Sequence, residues 1–150
     1  MKPPKPASEA SASTQTWWSC HGVVYFIAAG TPPVAIKIGM AAQTAKSDLR
    51  STIVRRLAQI QSSNHELIQL LGVIHFTQGD FPTRDAEARE RELHIEFQHL
   101  QRFKRYGRGA EWFTSSPALL ARIREIATEP EVLGLPRTFS AAENGQQIYL

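Results

Sequence analysis

The chain has 150 residues, of which 42% are hydrophobic and 21% charged, an ordinary globular composition that excludes a wholly disordered or fibrous protein. The excess of 17 Lys and Arg over 14 Asp and Glu gives a net charge of +3, which favours an anionic partner without identifying one. The longest apolar run, residues 23–29, is far shorter than the ~20 residues that cross a bilayer, and a single cysteine fits a reducing compartment, so we expect a cytoplasmic protein without a membrane partner.

Composition divides the chain into three parts. Residues 1–16 contain no large apolar side chain after the first methionine and are predicted to be a disordered N-terminal tail. Residues 17–127 are predicted to form one folded domain, in which Trp17 and Trp18 cover the hydrophobic edge of a sheet. Residues 128–150, rich in Pro, Glu, Gly and Gln, are predicted to be a loose C-terminal tail.

The first predicted elements of the domain are two strands. β-Branched and aromatic residues from Val23 to Ala28 are followed by a turn cluster at residues 30–33 and by a second apolar segment, Val34–Gly39. This pattern predicts a β-hairpin. The period of two along a strand allows Tyr25 and Lys37 to share a surface.

The later elements alternate between helix and strand. Residues 49–60 have helical spacing behind a cap at 47–48, and the nearly continuous apolar segment 67–74 predicts a central strand covered on both faces. A long helix is predicted over residues 84–104, and the Ser-Pro pair at 116–117 predicts the start of a last helix. The order of elements predicts a mixed α/β (α+β) fold.

Two charged residues lie near the apolar faces of their predicted helices. Arg56 projects about 55° from the centre of its apolar stripe, and Glu90 about 50° from the centre of the stripe on the long helix. Burial of an unpaired charge is costly, so each residue needs a partner. Either the two form a structural ion pair, or Arg56 binds a phosphate while Glu90 binds a metal ion. The pattern alone leaves both alternatives open.

Several ordered motifs between residues 23 and 113 resemble one family. They comprise two strand motifs, two helix motifs and a terminal motif: VYF at 24–26, KIG at 37–39, RLAQIQ at 56–61, ELHIEF at 92–97 and EWF at 111–113. Together they resemble the GIY-YIG nuclease superfamily, and most closely a subgroup described as a bacteriophage-type DNA-binding domain.

The resemblance implies a small three-stranded antiparallel sheet flanked by helices, and a divalent-metal-dependent endonuclease that hydrolyses DNA phosphodiester bonds. By position it assigns Tyr25, Arg56 and Glu90 to the tyrosine, the arginine and the metal-binding glutamate of that superfamily. Lys37 departs from the pattern by replacing a tyrosine, and Met40 stands where a lysine is frequent. A DNA-binding module without cleavage is therefore the first alternative, and a protein-interaction domain is the second.

The candidate catalytic residues divide the chemistry of hydrolysis between them. Glu90 would hold one Mg²⁺ or Mn²⁺ ion through oxygen, and Arg56 would clamp the phosphate. Tyr25 would orient the attacking water and accept its proton if Lys37 or the metal lowered its pKa, because an unperturbed phenol titrates near 10. His94 would either assist by hydrogen bonding a metal ligand or by carrying a proton, or make a structural hydrogen bond.

Exposed basic residues predict a DNA-binding surface. They are Arg50, Arg55, Arg102, Lys104, Arg105 and Arg108. A solvated basic helix end is the alternative interpretation of the last four. No glycine-rich phosphate loop occurs, so no nucleotide cofactor is expected. A lone domain of this size would need a homodimer or a partner protein to recognise a DNA sequence.

Overall fold

The computed structural model describes residues 6–44, 47–102 and 111–139. Within these ranges the helices are α1 (Ala12–Ser19), α2 (Leu49–Ser62), α3 (Pro82–Glu96) and α4 (Pro117–Ile126), with short 3-10 turns at Ala7–Glu9, Gln98–Leu100 and Pro130–Leu133. The strands are β1 (Gly22–Ala29), β2 (Ala35–Ala42), β3 (Ile68–Phe76) and β4 (Trp112–Thr114). None of the described helices is long and apolar enough to span a membrane.

The strands form one antiparallel sheet in the spatial order β3-β1-β2-β4. The α+β class is confirmed, and so is the hairpin of β1 and β2. The sequence predicted three strands, whereas the sheet has four in the described residues. The missed strand, β4, has only 3 residues and is too short to show a period of two. The prediction that β3 is the central strand was wrong, because β1 is buried along its whole length and β3 lies at the edge.

The outer edge of β3 is covered by the segment that follows α4. Val73 and Thr128 exchange backbone hydrogen bonds, and the Leu70 amide donates to the Arg137 carbonyl at 2.6 Å. Leu135 is buried in the core on one face of the sheet. Residues 128–139 therefore pack against the domain where a loose tail was expected, and they protect a strand edge that would otherwise be open.

Alternation of side chains along β1 creates two apolar cores, one on each face of the sheet. Tyr25 and its alternate neighbours face α2, where Ile53 and Leu57 are almost completely buried. Phe26 and its alternate neighbours face α3 and α4, and Leu93 of α3 belongs to this second core. The sheet is thus a middle layer between helices on its two sides.

Two helix starts follow from local signals, as predicted. Asp48 caps α2, and its Oδ1 accepts a hydrogen bond from the Ser51 amide at 2.7 Å. Ser116 caps α4 in the same way by accepting from the Leu119 amide at 3.1 Å. Both caps satisfy amide groups that have no partner inside the helix.

The long helix is shorter than predicted. α3 ends at Glu96 and is followed by the 3-10 turn Gln98–Leu100, where the apolar pattern had predicted helix to residue 104. Phe97 leaves helical geometry at φ −111° and ψ 20°, yet it stays buried in the same core as Leu93. Spacing cannot distinguish the two conformations because both keep these apolar side chains against the sheet.

Helix α1 lies partly within the segment predicted to be a disordered tail. It begins at Ala12, and the Ser11 side chain caps it by accepting from the Thr14 amide at 3.2 Å. Trp18 is 8% exposed and packs edge to face against Phe81 at the start of α3. Tertiary packing of this kind stabilises a short helix that its polar composition does not predict.

Candidate functional site

Tyr25 lies in the middle of β1, directly opposite Gly39 of β2. Its side chain is 2% exposed. A Cβ atom at residue 39 would stand 2.5 Å from both Cζ and Oη of Tyr25, so the phenol needs glycine at this position. No described residue hydrogen bonds the phenol. Every fully buried side-chain oxygen in the described ranges has a hydrogen-bond partner, so Oη is not one of these buried atoms. The Oη atom therefore reaches the surface while the ring stays buried.

Lys37 shares the sheet face of Tyr25, as the strand period predicted. Its Nζ donates to Glu111 Oε2 at 2.5 Å and lies 5.8 Å from the centre of the Trp112 ring. Lys37 and Trp112 are neighbours across β2 and β4. Sequence reasoning included Glu111 in a motif but missed it as a site residue, because only the unpredicted strand β4 brings it beside Lys37.

Glu90 approaches the same region from α3, which packs against β1 and β2 on the opposite face of the sheet. β4 covers β2 only at Ala35–Lys37, and one residue further on the Ile38 carbonyl accepts a hydrogen bond from His94 Nε2 at 2.8 Å. Glu90 is one helical turn before His94 and is therefore carried to this edge. The His94 ring also packs against Phe113, with ring centres 5.1 Å apart. These contacts give His94 a structural part in holding α3 on the sheet.

The Glu90 carboxyl titrates well above its ordinary range. Burial raises its pKa to about 7, the charge of Glu111 raises it as well, and Lys37 acts in the opposite direction. No described residue donates a hydrogen bond to this carboxyl or forms an ion pair with it. Its oxygen atoms therefore remain available to a ligand.

The Tyr25 phenol is held in its protonated form. Burial raises the pKa of Tyr25, the nearby Arg56 lowers it, and Glu111 and Glu90 raise it further. The expectation that Lys37 lowers this pKa is not met, because the charges that act on the phenol are those of Arg56, Glu111 and Glu90. At neutral pH the phenol is a hydrogen-bond donor and a poor base.

Arg56 of α2 is half-buried, as its position on the helix predicted. It lies close enough to Tyr25 to lower the pKa of the phenol. Within the described ranges its hydrogen bond is a long one, 3.4 Å, to Gln59 Oε1, and no ion pair joins it to Glu90. The structural ion pair considered from the sequence is not formed, and the guanidinium keeps free N–H donors for an anion.

These interactions define a polar cluster of Tyr25, Lys37, Arg56, Glu90 and Glu111. It combines two carboxyl groups, a guanidinium, an ammonium and a protonated phenol at the edge of the sheet. The described residues contain no group of three or more His, Cys, Asp or Glu that could hold a metal ion. A cation at this cluster would therefore keep most of its ligands as water or substrate oxygens.

The predicted DNA-binding residues do not form one patch. Arg55 is exposed on α2 and, with Arg56, lines a cleft of ≈ 290 Å³. Arg50 is exposed but donates to the Gly134 carbonyl at 2.6 Å, and Arg102 is exposed after the 3-10 turn. The remaining predicted residues lie outside the described ranges: Lys104, Arg105 and Arg108.

Residues 22–129 match the family model of the T5orf172 domain, which covers well over half of the chain. The chain belongs to the T5orf172 domain family. The match is consistent with DNA binding. The T5orf172 domain includes the polar cluster and the four described strands, whereas α1 precedes it. Comparisons with curated proteins and with solved structures find no match.

The assignment to the GIY-YIG nuclease superfamily was wrong, because the family model that matches is the T5orf172 domain. Short motifs such as KIG and EWF are made of ordinary strand residues and carry a risk of false assignment even when several occur in order. The roles suggested for Tyr25, Arg56 and Glu90 therefore depend on the geometry of the polar cluster in this T5orf172 domain.

Proposed function

We propose that this T5orf172 domain binds DNA and hydrolyses its phosphodiester bonds with one divalent metal ion, Mg²⁺ or Mn²⁺. The observation that carries the proposal is the polar cluster. In it the Glu90 carboxyl and the Arg56 guanidinium both lie close enough to the Tyr25 phenol to shift its pKa. Hydrolysis needs a bound phosphate, an oriented water and stabilisation of negative charge. The cluster offers a group for each of these requirements.

The donor groups around Glu90 fit a hard divalent cation. Glu90 is partly buried and has no partner among the described residues, and Glu111 places a second negative charge nearby. A cation would relieve this repulsion and keep Glu90 ionised, and carboxylate oxygen is a ligand that Mg²⁺ and Mn²⁺ prefer. When bound, the ion would supply positive charge to the phosphoryl oxygens and lower the pKa of a water molecule.

The other members of the cluster bind and orient the substrate. Arg56 holds the phosphate through its planar fork of N–H donors. Tyr25 donates its hydroxyl hydrogen to a phosphate oxygen, since its raised pKa keeps it protonated, and the proton of the attacking water passes to solvent. Lys37 holds Glu111 through their ion pair and so limits the negative charge that the phosphate meets.

Cleavage of supercoiled plasmid and of branched DNA tests the proposal, with Mg²⁺, Mn²⁺ or EDTA in parallel reactions. We expect metal-dependent nicking by the wild type and its loss in Glu90→Gln and Arg56→Ala. Glu92→Gln and Arg89→Ala are matched controls, because these residues pair with each other on α3 outside the cluster. Circular dichroism establishes that each variant is folded. Folded wild-type protein that shifts DNA without nicking it would refute hydrolysis.

A DNA-binding module without cleavage is the second candidate function. The raised pKa of Tyr25 favours it, because the cluster then has no phenolate to act as a base at neutral pH. Arg56 would still bind phosphate, whereas Glu90 would contribute nothing to affinity. Gel shifts in EDTA at several salt concentrations measure binding apart from cleavage, since phosphate contacts make affinity fall with salt. Absence of salt-dependent binding would favour a protein-interaction domain.

Sequence-specific recognition by this domain is proposed to require a homodimer or a partner protein, because a single small domain offers few contacts to base edges. Light scattering with and without duplex DNA measures the number of protomers in the complex. One protomer per DNA at every protein concentration would contradict the homodimer.

A further inference from the structure

A cleft of ≈ 290 Å³ lies beside the polar cluster, and Arg56 belongs to both. Its walls come from β2 and from the loop that follows it, from α2, and from Trp17 of α1. The volume is close to the lower end of ~300 Å³ for small-ligand pockets. The cleft therefore has room for a group about the size of one nucleotide.

The charge of the cleft is positive. Its described lining contains the guanidinium groups of Arg55 and Arg56 and no carboxylate. A second cleft of ≈ 230 Å³ lies beside Trp18. Its described lining carries three carboxylates and two arginines, so its net charge is negative. Of the two, only the cleft next to Arg56 presents a net positive lining to an anion.

Trp17 adds an aromatic surface to this positive cleft. It is 37% exposed, whereas its neighbour Trp18 is 8% exposed. Trp18 anchors α1 on α3 by packing against Phe81 and by donating from Nε1 to Glu87 Oε1 at 3.3 Å. Consecutive residues of a helix point about 100° apart, so this anchor directs Trp17 away from α3 and into the cleft. The expectation that both tryptophans cover the sheet edge is wrong for Trp18, which packs on α3, whereas Trp17 lies beside the end of β2.

We propose that the cleft binds one unpaired nucleotide of a DNA substrate, with its base stacked on Trp17 and its phosphate held by Arg55. An adjacent phosphate along the same strand then lies at Arg56, where the polar cluster acts. An indole offers a stacking face to any base, and two guanidinium groups bind phosphate oxygens. A base inside an intact duplex is already stacked on both sides, so the preferred substrate class is DNA with an unpaired nucleotide at a single-stranded overhang, gap or branch.

This inference rests on the proposed function and deepens it by naming the substrate class. It also assigns a role to α1, which precedes the matched residues 22–129. The T5orf172 domain supplies Arg55 and Arg56, and the preceding helix supplies the stacking residue. Together they convert a phosphate-binding edge into a site for an unpaired nucleotide.

Fluorescence anisotropy in EDTA tests the proposal with three labelled DNAs of one sequence: a blunt duplex, a duplex with a single-stranded overhang, and the single strand. We expect the wild type to bind the overhang more tightly than the blunt duplex. Trp17→Ala should weaken overhang and single-strand binding by about tenfold, within the range for losing one base–aromatic stack, and leave blunt-duplex binding nearly unchanged. Trp17→Phe should retain most of the affinity because it keeps an aromatic ring.

Two control variants separate stacking from general damage. Leu67→Ala removes another exposed apolar side chain, 45% exposed on the wild-type surface, and should change no affinity. Trp17→Leu replaces Trp17→Ala if the alanine variant does not fold, because it keeps an apolar side chain without a ring. Intrinsic fluorescence gives a second measurement: the single strand should quench the wild type, and Trp17→Phe should lose that part of the quenching while Trp18 and Trp112 remain.

The outcomes separate failure of this inference from failure of the proposed function. Equal affinity of wild type and Trp17→Ala for all three DNAs overturns the nucleotide site, while salt-dependent binding and metal-dependent nicking leave the proposed function standing. An equal loss of affinity for all three DNAs also overturns the nucleotide site. A blunt duplex has no unpaired base, so the loss of a stacking residue should not weaken its binding. Failure of the folded wild type to bind any DNA overturns both.

Discussion

The phenol of Tyr25 occupies the space that a side chain at Gly39 would fill, since a Cβ there would stand 2.5 Å from its oxygen. We predict that Gly39→Ala displaces the ring and destabilises the domain by roughly 1–3 kcal/mol, as overpacking of a core does. The displaced hydroxyl should also abolish nicking. Urea denaturation and plasmid cleavage measure the two effects. In a Tyr25→Ala background the stability cost of Gly39→Ala should vanish, and a cost that is equal in both backgrounds would contradict this account.

Glu90 should destabilise the folded protein at high pH. Its pKa rises from an ordinary 4.5 to about 7 on folding, so the folded state binds this proton more tightly than the unfolded state. Stability from the protonated carboxyl is therefore present below pH 4.5 and is lost as pH rises to about 7. Glu90→Gln cannot ionise, and at pH 8 it should raise the free energy of unfolding by roughly 3 kcal/mol, given ~1.4 kcal/mol per tenfold change in proton affinity.

Urea denaturation in EDTA at pH 4.5 and pH 8 measures this difference. The gain from Glu90→Gln should appear only at pH 8. Glu92→Gln, which alters an exposed carboxylate on the same helix, should show no comparable pH dependence. The same gain at both pH values would show that packing and not ionisation accounts for it.

A divalent ion should stabilise the folded domain through Glu90 independently of catalysis. Ligands that bind only the folded state raise the melting temperature by mass action. We expect Mg²⁺ or Mn²⁺ to raise the melting temperature of the wild type at pH 8 and to leave that of Glu90→Gln unchanged. Differential scanning fluorimetry over a metal titration measures this, and Glu92→Gln should respond like the wild type. An equal rise in all three proteins would place the ion elsewhere.

Glu111 and Lys37 should move the pKa of Glu90 in opposite directions. The Glu111 charge raises this pKa more than that of Glu87 does, and Lys37 lowers it. Glu111→Gln should therefore lower the pKa of Glu90, Lys37→Ala should raise it, and Glu87→Gln should have a smaller effect. Carboxyl-carbon NMR titration measures the shifts directly. Identical titration curves in the three variants would show that burial alone raises the pKa.

The two arginines of the cleft should account for part of the salt dependence of DNA binding. Each lysine or arginine that neutralises a phosphate contributes about 0.7–0.9 to the slope of log affinity against log salt. Arg55→Ala and Arg56→Ala should each reduce the slope by roughly 1, whereas Arg89→Ala, whose side chain pairs with Glu92, should not change it. Binding measured from low to moderate salt gives the slopes. A slope that is the same in every variant would exclude both arginines from phosphate contact.

Local signals in the sequence were sufficient for part of the site. The period of two put Tyr25 and Lys37 on one sheet face, and Asp48 and Ser116 capped their helices as predicted. The helical projection also identified Arg56 as a charge near the core, and the residue is half-buried. These features depend on neighbours within a few residues, so a pattern of spacing is enough to reveal them.

The sequence by itself determined the hairpin, the helix starts and the two unusual charges. Only the tertiary structure decided that the short strand β4 brings Glu111 to Lys37, and that Trp18 is buried while Trp17 lines the cleft. It also decided that Arg56 and Glu90 are not paired within the described ranges. The physical reason is that burial and ionisation depend on contacts between segments far apart in the chain, and no local period encodes which segments meet.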